Sequence, residues 1–261
     1  MNRFLPLRKK SIKASSPRQT SSQRPQQSGS ALIYIFIGVI LFAALALVFA
    51  RGARQGGGSI DAKTAKVGAS EIIHATRNIH GAVEKMIQNG ISEADIGFTN
   101  TVTTLAVNGA SYYSGNPNCL DATCQIFDAA GGAISPQMVA SAYVIPENDL
   151  GASDPMPGDS FPAIARIKDL GSAEIDLLWV TAGLKLEVCK AINDAFKVEN
   201  PGGFPPVETA LDATNLYVGQ FSTATILGNS AAEIAGQEDF CYKFASSDPS
   251  YYVYVHTLLI R

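Results

Sequence analysis

Residues 31–50 read ALIYIFIGVILFAALALVFA and contain no charged side chain. Twenty residues at a helical rise of about 1.5 Å each span roughly 30 Å, which is the thickness of the hydrocarbon core of a bilayer. Thirteen of the twenty are Leu, Ile, Val or Phe, and at about −0.3 to −0.6 kcal/mol each they favour insertion by roughly 4 to 8 kcal/mol. The stretch therefore predicts a transmembrane helix, which we place at residues 30–51.

Two other structures are compatible with a stretch of this length. A core helix is usually interrupted by polar positions on one side, whereas this stretch is apolar all round. A secretory signal cleaved after Ala50 is the closer alternative, because small or short residues occupy positions 48–50. Signal peptides, however, have an apolar region of about 7 to 15 residues and a short basic leader. Since the leader here runs to Ser30, the pattern favours a retained membrane helix.

Charge is divided unevenly on the two sides of this helix. Residues 1–30 hold seven Lys or Arg and no acid, and the rest of the chain holds 13 basic and 23 acidic side chains, a net charge of −10. The positive-inside rule therefore predicts a single-pass inner-membrane protein with a cytoplasmic N-terminus and a periplasmic C-terminal domain. The leader, residues 1–29, is rich in Ser, Gln, Pro and basic residues, a composition typical of disorder. Topology and anionic membrane lipid account for its charge, so no nucleic-acid partner is expected.

All four cysteines follow the predicted membrane helix, which indicates an oxidising compartment and two disulfides. Three pairings are possible, and we favour Cys119 with Cys124 and Cys189 with Cys241. A zinc site would need closer pairs with imidazole partners, and no histidine is near a cysteine in the sequence. We therefore expect no metal and no other cofactor.

The chain beyond the membrane helix begins with a Gly-rich break at residues 52–58 and continues as an amphipathic helix over residues 60–89. Six apolar residues of this helix fall within a band about 100° wide, and Gly90 is a natural stop. They are Ala65, Ala69, Ile72, Ile79, Val83 and Met86. His80 is at the edge of the band and His74 is opposite it, so both are expected at the surface rather than in a ligand set.

After Gly90 the apolar pattern shortens and alternates, which predicts strands separated by Gly, Asn, Pro and Asp clusters. The strand candidates are residues 101–107, 123–127, 139–145, 163–168 and 174–181. A second helix is expected at 183–197, and a final antiparallel hairpin pairs 240–244 with 250–260. The predicted fold class is therefore α+β: a transmembrane helix and an amphipathic helix, then an extracytoplasmic antiparallel-sheet domain with two disulfides over residues 59–261.

Sequence motifs for catalysis are absent. The chain has no G-x-S-x-G elbow, no P-loop, no dinucleotide fingerprint and no H-E-x-x-H pair. Its three histidines and its paired cysteines nominate no nucleophile and no catalytic residue. The acids of the polar stretch 146–162 do not have the spacing of an EF-hand loop. We therefore expect a protein that is not an enzyme.

The order of elements resembles the type IV pilin and type II secretion pseudopilin family. A basic leader ends in Gly29, a small residue follows at Ser30, and a wholly apolar helix leads into an amphipathic helix and a disulfide-bearing domain. The resemblance implies that a prepilin peptidase cuts between Gly29 and Ser30, leaving 232 of the 261 residues. It also implies that the apolar helix packs against other pilin-like subunits in a filament core.

Three features depart from that family. Its glutamate at the fifth mature position corresponds to Tyr34, so the usual ion pair with a neighbour's new amine cannot form. The leader is also longer than usual, and the glycines at 56–58 interrupt a normally continuous helix. Because minor tip subunits can lack the glutamate, we expect a structural cell-envelope protein, either a pilin-like or a minor pseudopilin-like subunit. The alternative is an unprocessed, membrane-anchored periplasmic binding or scaffold protein.

Overall fold

A computed structural model describes residues 30–100, 106–107, 110–111, 113, 115–146, 157–208, 211, 213–245 and 251–261. Only the backbone is described at 30–32, 44–60, 106–107 and 110–111. The chain divides into two compact units between Arg54 and Gln55. The predicted leader at 1–29 lies outside the described residues.

Helix α1 comprises Ser30–Gln88. The backbone at 52–58 is helical, so the Gly-rich break predicted there is absent from the secondary structure. A glycine inside a helix costs only about 1 kcal/mol relative to alanine, and helical hydrogen bonds can continue through a short glycine run. The predicted membrane helix at 30–51 falls partly on residues whose side chains are not described.

Among the described residues, no helix has both the length and the apolar character needed to cross a membrane.

The amphipathic helix predicted at 60–89 is confirmed by the second part of α1. All six residues of the apolar band are at most 7% exposed. Ala65, Ala69 and Ile72 join one buried cluster, and Ile79, Val83 and Met86 join a larger one. The helix ends as predicted, because Gly90 adopts φ +91°, a conformation that favours glycine.

Two short strands, β1 (Ala106–Val107) and β2 (Ala110–Ser111), pair with each other. A six-stranded sheet forms the centre of the second unit, and its strands are β3 (Ser160–Ile167), β4 (Asp176–Leu184), β5 (Val207–Glu208), β6 (Ile226–Leu227), β7 (Asp239–Phe244) and β8 (Tyr252–Leu259). Their order in the sheet is β5-β7-β8-β4-β3-β6. The predicted strands at 163–168 and 174–181 and the final hairpin are confirmed by β3, β4 and the β7–β8 pair.

The sheet is mixed, so the prediction of a purely antiparallel sheet is wrong. The four long strands pair antiparallel, but each edge is a two-residue strand in parallel pairing, β6 on β3 and β5 on β7. Strands this short carry no alternation that a sequence pattern could show. The fold class is α+β, as predicted.

Two of the predicted strands are not strands. Residues 122–124 form a short 3-10 helix, because the Asp121 carboxylate accepts hydrogen bonds from the backbone N–H and the hydroxyl of Thr123, at 2.8 and 2.5 Å. Residues 141–143 form a turn, closed by the Tyr143 N–H on the Ala140 carbonyl at 2.9 Å. Residues 101–105 of a further predicted strand lie outside the described residues, although β1 coincides with its end.

Helix α2 (Leu186–Phe196) confirms the second predicted helix and is attached to strand β7 in two ways. Cys189 forms a disulfide with Cys241. The Asn193 side-chain amide then bonds both backbone groups of Cys241: its Oδ1 accepts from the N–H at 2.7 Å and its Nδ2 donates to the carbonyl at 2.8 Å. A side chain thus replaces a strand partner beside β7.

The second disulfide joins Cys119 to Cys124 and stabilises a surface turn. Gly97 lies against this turn, since its N–H donates to the Cys124 carbonyl at 2.8 Å and its own carbonyl accepts from Ile126. Both favoured disulfide pairings are therefore present, and their four cysteines are all the cysteines of the chain.

Glu208 connects the two edges of the sheet. It is fully buried on edge strand β5, and its Oε2 accepts hydrogen bonds from the N–H groups of Gly228, Ser230 and Ala231 at 2.9, 3.2 and 3.1 Å. These three residues follow β6, the opposite edge strand. The sheet is consequently almost closed.

Candidate functional site

The first candidate region is the apolar segment, residues 33–43 of helix α1. Every residue of this segment is exposed. Its large side chains are 48 to 76% exposed and surround the helix on all sides: Ile33, Tyr34, Ile35, Phe36, Ile37, Val39, Ile40, Leu41 and Phe42. A continuous apolar surface of this kind marks a contact with lipid or protein.

The predicted processing site lies next to this segment. Ser30 is the first residue of α1 and is described by its backbone alone. Gly29 lies outside the described residues. Tyr34, at the fifth position after Gly29, is 71% exposed.

The second candidate region is a cleft of about 610 Å3 in the second unit, a volume common for small-molecule sites. One wall is formed by residues 71–81 of α1, the other by residues 134–143, and the floor by sheet residues Ser160, Trp179 and Thr181. The floor hydroxyls of Ser160 and Thr181 bond each other at 2.9 Å. Small residues in the walls, Ala75 and Ala140, leave the space open.

One end of the cleft is closed by Tyr143. Its ring lies on the backbone of Gly68, so close that a Cβ at that position would be 2.5 Å from the ring. The Tyr143 hydroxyl donates a hydrogen bond to Glu71, and this bond raises the pKa of the tyrosine. Glycine at position 68 is therefore required for the contact between residues 134–143 and α1.

Among the described residues that line the cleft, the charged ones are Glu71 and Arg77, one of each sign. The Arg77 guanidinium lies 5.6 Å from the centre of the Phe196 ring on α2, within the range of a cation–π contact. The remaining polar groups of the walls are neutral side chains such as Asn78, Ser135 and Gln137. The cleft therefore suits an uncharged molecule with both apolar and hydrogen-bonding parts.

A chain of hydrogen bonds beside the cleft connects α1 to the sheet. His80 Nδ1 is 2.7 Å from His256 Nε2, and His256 Nδ1 is 2.8 Å from Asp239 Oδ1. Asp239 Oδ1 also accepts from the Tyr254 hydroxyl at 2.5 Å. At the outer end, His80 Nε2 is 3.4 Å from a carboxylate oxygen of Glu84. Burial raises the pKa of Tyr254 well above its ordinary value, so this hydroxyl remains a donor.

Sequence reasoning missed this chain of hydrogen bonds and placed His80 at the surface. The side chain of His80 is 29% exposed, but the imidazole of His256 is buried. The observed hairpin carries the missing signal, because its register places Asp239, one residue before the predicted strand at 240–244, opposite His256. A charged residue facing a histidine on two buried strands requires a hydrogen-bond partner.

The predicted disulfide residues lie outside the cleft, although Cys189 and Cys241 share a buried cluster with Ile72 and Tyr143, which line it. Over the part of the chain that the structure describes, no three His, Cys, Asp or Glu side chains are arranged to hold a metal ion. Of the four acids in the polar stretch 146–162, Glu147, Asp149 and Asp154 lie outside that part and Asp159 lies within it.

No protein-family model, curated protein or solved structure matches this chain.

Proposed function

We propose that this chain is a structural, non-enzymatic envelope protein: a single-span subunit of the pilin-like or minor pseudopilin-like type that is anchored and assembled through its apolar helix. The observation that carries the proposal is the exposure of residues 33–43 on every side of α1. Covering nine large apolar side chains, already partly shielded, gains on the order of 10 kcal/mol. Lipid and the apolar helices of other subunits are the two surroundings that provide this cover.

The two disulfides support a periplasmic place for the second unit. Both are formed, one of them fully buried between α2 and β7, and disulfides are rare in proteins of the reducing cytosol. Together with the seven cations of residues 1–30, they favour the orientation with the N-terminus in the cytoplasm and the C-terminal domain outside.

Processing at Gly29 distinguishes a subunit from a lone anchored protein. The experiment is mass spectrometry of the chain extracted from membranes of cells with an active prepilin peptidase. We expect a mature chain that begins at Ser30, and Gly29→Val should leave Met1 in place. An intact Met1 chain in the unmutated protein would favour the anchored alternative, and a chain that begins at Arg51 would mean a secreted soluble domain.

Assembly itself can be detected with one introduced thiol, because the four native cysteines are all paired. Ile37→Cys places the only free thiol in the middle of the apolar segment. Oxidation in the membrane should then give covalent dimers if subunits pack through this segment. The matched control is oxidation after dilution into detergent, where the dimers should be lost. Monomers under both conditions would contradict assembly.

The second candidate function is an anchored binding protein, and the cleft favours it. A molecule bound between α1 and residues 134–143 would remain with the protein through gentle extraction. Native mass spectrometry should then show an added small mass that Ala75→Phe removes by filling the cleft. If the unmutated chain and this variant both carry no added mass, the binding role is contradicted.

A further inference from the structure

The contact between His80 on α1 and His256 on β8 limits how many protons these two side chains can hold. Asp239 is an acceptor for His256 Nδ1, so the proton of His256 lies on Nδ1 and its Nε2 has a lone pair. Because Nε2 is 2.7 Å from His80 Nδ1, His80 must donate. The pair therefore contains one N–H between the two rings and has no space for a second.

One extra proton is compatible with this geometry. It goes to His80 Nε2, which faces the Glu84 carboxylate at 3.4 Å. The hydrogen-bonded series is then the Asp239 carboxylate, the neutral His256 imidazole, the His80 imidazolium and the Glu84 carboxylate. Each N–H in it is directed at an acceptor. A further proton would have to go to His256 Nε2, and two N–H groups would then face each other across 2.7 Å.

We propose that His80 and His256 form an acid-sensitive latch that holds helix α1 on the sheet. The native pair accepts one proton at most, whereas the same two side chains in the unfolded chain accept two, since an ordinary histidine is protonated below about pH 6.5. A state that binds fewer protons loses stability as the pH falls. The latch is therefore closed near neutral pH and is released by acid.

The charged and titratable groups around the pair do not relieve this limit. Among the described residues, Glu84 faces it from α1, Asp239 from β7 and the Tyr254 hydroxyl from β8. Arg77 of α1 acts electrostatically on Tyr254. Glu84 and Asp239 stabilise the first positive charge. Neither can accept the proton between the rings, and the fixed charge of Arg77 disfavours a second imidazolium.

The test is urea unfolding of the full chain in nonionic detergent micelles between pH 5 and pH 7, followed by the fluorescence of Trp179. This residue is the only tryptophan, is buried, and is the sheet partner of His256. For a difference of one proton, the unfolding equilibrium constant rises tenfold for each unit by which the pH falls. This slope is approached below about pH 5.5, where both histidines of the unfolded chain are protonated. We expect this dependence in the unmutated chain.

His80→Gln should abolish the tenfold dependence. The glutamine amide can turn its oxygen toward Nε2 of His256. A protonated His256 then donates from Nε2 to that oxygen and from Nδ1 to Asp239, so the native and unfolded states bind equal numbers of protons. The control is His74→Gln on the same helix, because His74 is exposed and contacts only the nearby Asn78 among its described hydrogen bonds, at 3.4 Å. This variant should retain the dependence. Equal pH dependence in the unmutated chain and His80→Gln would overturn the latch.

A second measurement needs no variant. The 15N chemical shifts of the two imidazoles report protonation directly, and near pH 5.5 the folded protein should show one neutral histidine protonated on Nδ1, at His256, beside a cationic His80. Cationic rings at both His80 and His256 in the folded protein would overturn the proposal even if His80→Gln failed to fold.

Discussion

Helix α1 contains two regions with the same backbone geometry and opposite surfaces. In residues 33–43 the apolar side chains lie on every side and all are exposed. In residues 61–88 six of them form one band, and these six are buried in the core of the second unit. Both regions are helical. The arrangement of apolar side chains around the axis decides whether the fold covers a helix or leaves it for another surface.

The largest expected difference between the two regions is the loss of stability on removing the disulfide between Cys189 and Cys241. The bridge closes a separation of 52 residues, and Cys241→Ser should lower the free energy of unfolding by about 2 to 5 kcal/mol. Loss of the short bridge through Cys124→Ser should cost less, about 2 kcal/mol. Chemical denaturation measures both. The membrane association proposed for residues 33–43 should not change in either variant, and a change would show that the two regions are coupled.

A charge in the first region should change membrane association and leave folding intact. Ile37→Lys introduces a lysine near the middle of the apolar segment, at a cost of about 2.5 to 3.5 kcal/mol for a helix in the membrane centre. Its control is Val67→Lys, since Val67 is an apolar residue of α1 that is also exposed, at 52%. Carbonate extraction of membranes should release more of the first variant than of the second. Equal release of the two variants would contradict the assignment of residues 33–43 as the membrane-associating surface.

The same small truncation should have different effects in the two regions. Val83 is fully buried and Val39 is 60% exposed. Val83→Ala should lower the free energy of unfolding of the second unit by about 2 kcal/mol, because it removes two buried methyl groups and leaves a cavity. Val39→Ala should leave that free energy unchanged. Urea denaturation followed by Trp179 fluorescence compares them, and equal losses would contradict the assignment of the two surfaces.

The smallest expected effect is the change in stability when each of two glycines of α1 is replaced by alanine. Its sign is opposite at the two positions. At Gly68 a methyl group would meet the Tyr143 ring at 2.5 Å, whereas at Gly81 it would meet nothing within 4 Å. Gly68→Ala should therefore destabilise the second unit by about 1 to 2 kcal/mol. Gly81→Ala should stabilise it by about 0.5 to 1 kcal/mol through helix propensity. Thermal unfolding that shifts in the same direction for both would remove the role assigned to Gly68.

The sequence predicted the elements whose signal is local and periodic. The band from Ala65 to Met86 repeats with the helical period, the hairpin consists of two apolar runs separated by a turn, and the four cysteines follow the predicted membrane helix. The first two patterns each lie within a continuous stretch of chain. These parts of the fold, with both bridges, are present in the structure.

The missed features depend on contacts between distant segments. At residues 123–127 the alternation is overridden by the Asp121 carboxylate and the neighbouring disulfide. The edge strands β5 and β6 are two residues long and are defined by their partners. The cleft and the histidine pair join segments separated by more than 50 residues, and single-sequence periodicity contains no information on such distances.

Glu208 gives the sheet a property that concerns neighbouring molecules. An open sheet has two edges whose unpaired backbone groups can recruit a strand from another chain, which is a common route to aggregation. In this protein both edges are only two residues long, and the buried carboxylate of one edge occupies three N–H groups beside the other. A concentrated population of these molecules is thereby protected from indiscriminate strand exchange, and any specific association is left to surfaces other than the sheet.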